Sequence, residues 1–394
     1  MKKLNYKIVL LAFLLLATFL LDACSSLRNH KAISTAYNGR NELKYTTPAY
    51  NASNKTVFII ADNDGTEIFD MMAPYYLFSA TEKANVFIVA EKKSPVVVNN
   101  GLYILPHFTF REIDSLQIIA DVIVIPNQSI MIGMKQKRTT VDFIKNHYTG
   151  SSRILAICDG SATAAATGLY DGKALTTHSS DYAAVKKQFN KPLWVQEVSV
   201  TRSGNLFSTA GISNATEGSL TVIEDVFGRE TMQKVLAGIH YPYAEIKKDH
   251  QNLTVNRNPT FINLRKGSIK RDEKVGVLLQ EGINEFDLAA IMDTYRRSFP
   301  ASLATLTVQG KSINSKYGLV LLPTGDINTN TCTELHILIP ESFSKSNEEL
   351  FKNTQFIKYD KLQSQYMFDV CLTRISGLYG TDFATVVRLM LDYN

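Results

Sequence analysis

The apolar positions of this chain fall into a few recurring patterns. Ile8 to Leu21 is almost unbroken apolar sequence, preceded by Lys2, Lys3 and Lys7 and closed by Leu21-Asp22-Ala23-Cys24. Beyond about Lys55 the pattern changes to short runs: Phe58-Ile59-Ile60, Val86-Phe87-Ile88-Val89, Val122-Ile123-Val124-Ile125, Ile154-Leu155-Ala156-Ile157 and Val275-Gly276-Val277-Leu278-Leu279. Short continuous apolar runs are expected of strands buried on both faces. Between them lie stretches with apolar residues three and four apart, Gly218 to Phe227 for example, which predict helices. Alternation of strand and helix implies an α/β fold, a parallel sheet covered by helices on both sides. Ser25 to about Lys55 and Tyr243 to Arg271 are polar without apolar period, and read as a flexible tether and a linker.

The pattern also repeats. Asp64-Gly65-Thr66-Glu67-Ile68-Phe69-Asp70-Met71-Met72-Ala73 maps, 217 positions on, to Glu281-Gly282-Ile283-Asn284-Glu285-Phe286-Asp287-Leu288-Ala289-Ala290. The same offset carries Gly101-Leu102-Tyr103-Ile104-Leu105-Pro106 onto Gly318-Leu319-Val320-Leu321-Leu322-Pro323. Val122 to Pro126 then matches His336 to Pro340 at an offset of 214, and Val226-Phe227-Gly228 matches Leu378-Tyr379-Gly380 at 152. The shrinking offset implies that the second copy has lost 62 residues between these landmarks, with them everything equivalent to Cys158. The organisation expected is a leader over 1–24, a tether over 25–55, a complete α/β domain over 56–245, a linker over 246–272 and a truncated second copy over 273–394.

A positive start, a short apolar run and a small residue before the cut describe a secretory signal, and the run is shorter than the roughly 20 residues that span a bilayer. Ala23-Cys24 resembles a lipobox, which implies acylation of Cys24 and a lipid anchor in the cell envelope, with Ser25-Ser26 favouring the outer membrane. The net charge of +5 falls to about +3 once Lys2, Lys3, Lys7 and Asp22 are removed, and what remains is dispersed. Nucleic-acid binding, which needs a clustered basic footprint, is therefore not expected. Of the four cysteines, Cys24, Cys158, Cys332 and Cys371, none lies in a metal-ligand spacing, so no metal site is expected. Cys332 and Cys371 read as a loop thiol and a buried helical thiol. No phosphate loop and no flavin or nicotinamide fingerprint occurs, and no cofactor is expected.

Candidate chemistry centres on Arg153-Ile154-Leu155-Ala156-Ile157-Cys158-Asp159-Gly160-Ser161-Ala162, a strand followed at once by small residues. A nucleophile at such a strand-to-helix turn stands at the carboxyl edge of the sheet, where ligands bind in open α/β folds. A helix N-terminus behind it favours a thiolate, and nearby N–H groups can hold an oxyanion. Ala156-Ile157-Cys158-Asp159-Gly160, with Gly168 to His178, resembles the DJ-1/PfpI superfamily, in particular the branch of isonitrile hydratases and of sensor domains in AraC-type regulators. Gly65 to Asp70 with Ala73-Pro74, and Gly204 to Gly211, resemble two further motifs of that branch. The resemblance covers about Thr56 to Tyr243, with a weaker echo from Lys274 to Asn394. It implies Cys158 as nucleophile, Asp70 as the acid beside the thiol and His178 as the neighbouring histidine. Two departures stand out. Asn127-Gln128 replaces the Gly-Gly pair whose N–H groups, with those near Gly160, form the oxyanion site. Asp159 directly follows the cysteine, and is either an opposing charge or itself the acid. Structural alternatives remain for each: Cys158 as a core thiol, Asp70 as a helix cap, His178 as a packing residue.

Three functions compete. The first is a cysteine-dependent hydratase or hydrolase for a small electrophile, isonitrile- or oxoaldehyde-like. The second is a lipoprotein that senses a ligand or stress without turnover. The third, a transcription regulator, is discounted, because the C-terminal part is a second α/β copy and the leader directs the chain away from DNA. DJ-1-like proteins commonly form dimers, so the second copy is expected to replace a second subunit in an internal pseudo-dimer.

Overall fold

The computed structural model describes residues 37, 39, 43–45, 48–98, 101–128, 133–250, 273–329, 331–351, 353–359 and 365–393. The leader, Cys24, most of the tether and most of the linker lie outside these residues. No helix among the described residues is long and apolar enough to cross a membrane.

The first half begins with β1 (Lys55–Ala61), α1 (Ile68–Ser79), β2 (Ala84–Ala90), β3 (Val96–Val98), β4 (Leu102–Ile104), β5 (Phe108–Thr109) and α2 (Phe110–Leu116). It continues through β6 (Val122–Ile125), α3 (Arg138–His147), β7 (Arg153–Ala156), α4 (Gly160–Ala166), β8 (Ala174–Leu175) and α5 (Tyr182–Gln188). It closes with β9 (Leu193–Trp194), β10 (Val200–Ser203), β11 (Leu206–Thr209), α6 (Ala215–Phe227) and α7 (Arg229–Gly238). Seven of these strands form one sheet in the order β10-β11-β7-β6-β1-β2-β5. All its pairings are parallel except β10 with β11. The apolar runs of β1, β6 and β7 lie at its centre, where helices cover both faces, and this is why they alternate so little.

The second half runs β12 (Lys274–Leu278), α8 (Glu285–Arg296), β13 (Ser302–Thr307), β14 (Ile313–Asn314), β15 (Val320–Leu322), β16 (Gly325–Asp326) and β17 (Glu334–Ile337). Then come α9 (Lys345–Glu348), β18 (Gln355–Lys358), α10 (Met367–Tyr379) and α11 (Thr381–Leu391). Its parallel sheet has the order β16-β13-β12-β17-β18. The offset of 217 holds at the level of elements, since α1 and α8 have equal length and matching ends. The α6–α7 and α10–α11 joints match too: Gly228 and Gly380 share φ near 90° and ψ near 160°, a conformation open to glycine.

Two details correct the repeat. Strand register sets Phe58 beside Ile123 but Val275, its mate, beside Glu334, an offset of 211 and not 214. A four-residue apolar run ending in proline is too short to fix register. In addition, β18 occupies the place of β7. Its pairing with β17 puts Tyr359, the residue after β18, where Cys158 follows Ile157. The second copy therefore keeps the strand that leads into the elbow, and has no counterpart of α4 among the described residues. Tyr359 is buried, and its hydroxyl lies 2.8 Å from Nδ1 of His336.

The halves meet through equivalent parts. Helix α1 packs on α8, and Phe69 stacks edge-on against Phe286, its own repeat mate, at 5.2 Å between ring centroids. A four-stranded sheet, β14-β15-β4-β3, crosses between them, with Leu321 opposite its mate Ile104. Phe69, Phe286, Phe368 and Tyr366 belong to one continuous buried cluster that spans both halves.

Candidate active site

Strand β7 ends at Ala156, and the chain turns sharply through Cys158, whose φ of 54° lies in the left-handed region. A non-glycine residue held there signals local strain. Gly160 makes the turn possible, because a Cβ at that position would stand 2.1 Å from the Ile125 carbonyl oxygen and 2.8 Å from Pro126 backbone atoms. The turn hides the thiol: Cys158 is 2% exposed.

Asp70, in the first turn of α1, is wholly buried. Its Oδ2 accepts the Asn127 N–H at 3.0 Å, while Oδ1 has no hydrogen-bond partner. Glu67 caps α1, accepting the Asp70 N–H at 2.7 Å, and its own N–H donates to the Asn127 carbonyl. The cap therefore belongs to Glu67, and Asp70 is left for the site. Burial drives the Asp70 carboxyl well above the usual carboxylate range, reinforced by Asp293 and Asp159 and opposed by the Asn127 N–H. Glu67 is pushed the same way by burial and by Asp293 and Asp70.

Burial also pushes the Cys158 thiol well above its ordinary value, with Asp70, Asp159 and Glu67 adding to it and the Asp159 N–H opposing. The thiolate favoured by the helix N-terminus is thus not the resting form. Helix α4 is only seven residues long, and its first N–H groups are already engaged. The Gly160 N–H donates to the Ile157 carbonyl and that of Ser161 to the Cys158 carbonyl. The expected oxyanion donors are corrected accordingly. The N–H groups of Asn127 and Gly160 are committed within the protein, and the Asp159 N–H points at the sulfur. Gln128 contributes a different feature, since both polar atoms of its buried side chain lack a partner.

Asp159 accepts the Thr177 hydroxyl at 2.7 Å, and burial together with Asp181 raises its carboxyl to about 6, with Thr177 and His178 opposing. His178 accepts the Ser180 N–H on Nδ1 at 3.1 Å, so the neutral ring carries its proton on Nε2, which faces the Met390 carbonyl at 3.4 Å. The contacts of His178 run to the C-terminal segment, and those described do not include the sulfur. That segment is tied across the first half. Asp392 bonds His250 at 2.8 Å and the Ser179 hydroxyl at 3.1 Å, and its carbonyl accepts from Ser213.

Sequence reasoning missed the contribution of the second half. Arg297, just after α8, bonds both the carbonyl and Oδ1 of Asp293 and donates from Nε to the Met390 carbonyl at 3.1 Å. Asp293 in turn lies near enough to Glu67 to help raise its carboxyl, while its Oδ2 has no hydrogen-bond partner. The repeat mates of Asp293 and Arg297 are Tyr76 and Ala80, so no motif marked them.

Residues 54–225 match the DJ-1/PfpI family. That segment is a DJ-1/PfpI domain. An isonitrile hydratase of Pseudomonas putida is 28% identical over 172 residues, 44% of this chain and 72% of that protein. Protein dj-1beta of Drosophila melanogaster is 28% identical over 150 residues, 38% of this chain and 77% of that one. Among solved structures, Drosophila melanogaster DJ-1beta aligns with a TM-score of 0.43 at 24% identity, over 48% of this chain and all of that one. A THiJ/PfpI family protein from Pseudomonas syringae aligns with a TM-score of 0.44 at 19% identity, over 57% of this chain and 86% of that one. The DJ-1/PfpI domain holds the whole elbow, from β7 to α4, together with Asp70 and His178.

Proposed function

We propose that the DJ-1/PfpI domain is a cysteine-dependent hydratase or hydrolase for a small, uncharged electrophile. The observation that carries this reading is the buried thiol of Cys158 on a strained turn together with the buried carboxyl of Asp70, whose Oδ1 has no partner. A deeply buried site disfavours charged substrates, because desolvating an ion is costly. In the reaction, an S–C bond forms between Cys158 and the electrophilic carbon. The Asp70 proton passes to the substrate's basic atom, and the thiol proton replaces it on Asp70. Water then attacks the same carbon, the S–C bond breaks, the sulfur regains a proton, and the net change is addition of water. Similarity to an isonitrile hydratase makes isonitriles the first substrates to try, followed by α-oxoaldehydes. Cys158→Ala is expected to abolish turnover with folding intact, and residual activity above a few per cent would overturn the reading.

A second reading, a ligand sensor without turnover, is favoured by the near-complete burial of Cys158 and by the committed N–H groups. A ligand that raises the melting temperature equally in wild type and Cys158→Ala, with no product formed, would select it. Two further parts belong to the same reading. The second copy serves as a built-in second subunit, supported by the facing of Phe69 with Phe286 and Ile104 with Leu321; a tight homodimer in sedimentation would argue against it. Cys24 carries a lipid that anchors the protein in the cell envelope, probed by mass spectrometry of the membrane-extracted chain.

A further inference from the structure

The last residues of the chain reach back across the elbow domain. After α11 the chain turns at Asp392, whose φ of 52° lies in the left-handed region. The turn is seated on loops that follow β8 and β11 of the first half. The Ser213 N–H donates to the Leu391 carbonyl at 3.0 Å, and the Ser213 hydroxyl to the Asp392 carbonyl at 2.9 Å. The Asp392 carboxyl accepts His250 Nε2 at 2.8 Å and both the hydroxyl and the N–H of Ser179, at 3.1 and 3.4 Å. The seat is close-fitting: a Cβ at Gly211, two residues beyond β11, would stand 2.0 Å from the Asp392 Cβ. Burial opposes ionisation there, but the bond from His250 and the nearness of His178 outweigh it and hold the carboxyl below its usual range, so the acceptor is an anion.

These contacts end one and two residues from the elbow's own brace. His178, which faces the Met390 carbonyl at 3.4 Å, and Ser179 follow Thr177 directly. The Thr177 hydroxyl lies between the Cys158 carbonyl, at 3.2 Å, and Asp159 Oδ1, at 2.7 Å, and so grips the peptide that leaves the strained residue. A residue in that conformation persists where its surroundings hold it. On the β8 side the hold is the 177–179 turn. It is fastened at its start to β11, where the Thr176 N–H donates to the Ser208 hydroxyl, and at its end to the C-terminal segment of the other half.

We propose that Asp392 is a positioning residue for the elbow: it clamps the 177–179 turn and through Thr177 keeps Cys158 strained and buried, so that the second half sets how often the thiol opens. This rests on the reading of Cys158 as the reacting group, but its test does not use turnover. Iodoacetamide labelling of the native full-length chain is followed at each cysteine by peptide mass spectrometry, at one pH. Cys371, wholly buried in α10, reports any wider unfolding. Asp392→Ala is expected to speed Cys158 labelling by about tenfold or more, the scale of losing hydrogen bonds to a charged acceptor, and to leave Cys371 within about twofold. Asp392→Asn keeps an acceptor for Ser179 and restores most of the protection. Gly211→Ala deletes no bonding group but drives a Cβ into Asp392, and is expected to act in the same direction. It is the variant to rely on if Asp392→Ala fails to fold. Thr177→Val cuts the link at the elbow itself, and in that background Asp392→Ala adds nothing further, because both act through one hydroxyl. An unchanged Cys158 rate in native Asp392→Ala or Gly211→Ala overturns the proposal. So does Cys371 quickening in step with Cys158, Asp392→Asn labelling as fast as Asp392→Ala, or full additivity with Thr177→Val. If Cys158 proves to support no turnover, these rates and what they decide are unaffected.

Discussion

Phe69 and Phe286 give the sharpest test of how the halves depend on each other. Both are wholly buried, 5.2 Å apart between centroids, and Phe69 also lies 4.6 Å from Phe368. Truncating a buried Phe to Ala costs about 3–5 kcal/mol, and an aromatic pair adds about 0.5–1.5 kcal/mol beyond its area. Each single variant should therefore lose about 3–5 kcal/mol, and the double variant should lose less than the sum by about 0.5–1.5 kcal/mol. The assay exploits an asymmetry of composition. The chain has one tryptophan, Trp194, and it lies in the first half, half-buried with its indole N–H bonded to the Phe189 carbonyl. Its fluorescence in urea reports that half alone. Phe286→Ala, in the other half, is expected to lower the Trp194 transition as far as Phe69→Ala does. If Phe286→Ala leaves the Trp194 midpoint in place while circular dichroism splits into two steps, the halves fold independently and the interface argument fails.

Other outcomes stem from the same geometry. Gly160→Ala drives a Cβ into the Ile125 carbonyl, and is expected to cost about 1–3 kcal/mol, as overpacking does; a urea midpoint equal to wild type would contradict the close approach. Asp159, raised to about 6 by burial and Asp181, binds its proton more tightly folded than unfolded. Its contribution to stability is then full below the unfolded value near 3.9 and declines as pH rises through about 6. Urea midpoints at pH 5 and pH 7 should differ more in wild type than in Asp159→Asn, and equal differences would refute the assignment.

Much of this arrangement is legible in the sequence. The offset of 217 carries over to α1 and α8, which begin and end at matching positions, and the strand-then-small-residue pattern locates the elbow. Legibility fails where long-range contacts decide. Nothing local to Asn127 announces that its N–H group is taken, because the acceptor is Asp70, 57 positions before it. His178 follows a family motif, yet Met390, more than 200 positions on, receives its ring. Asp293 and Arg297 break the repeat against Tyr76 and Ala80, and only the packing of α8 on α1 gives that break a meaning. The register of β17 slipped because four apolar residues before a proline carry no information on pairing.

The joining of β4 to β15 within one chain has a consequence for divergence. Where two identical chains pair across such a sheet, every substitution appears on both sides of the axis, so neither side can change alone. Here each side has its own codons. One side carries the strained cysteine turn where the other has a tyrosine, and that other side carries an aspartate and an arginine where its twin carries Tyr76 and Ala80. Tethering also makes the pairing independent of protein concentration, so a molecule present in few copies keeps its halves together.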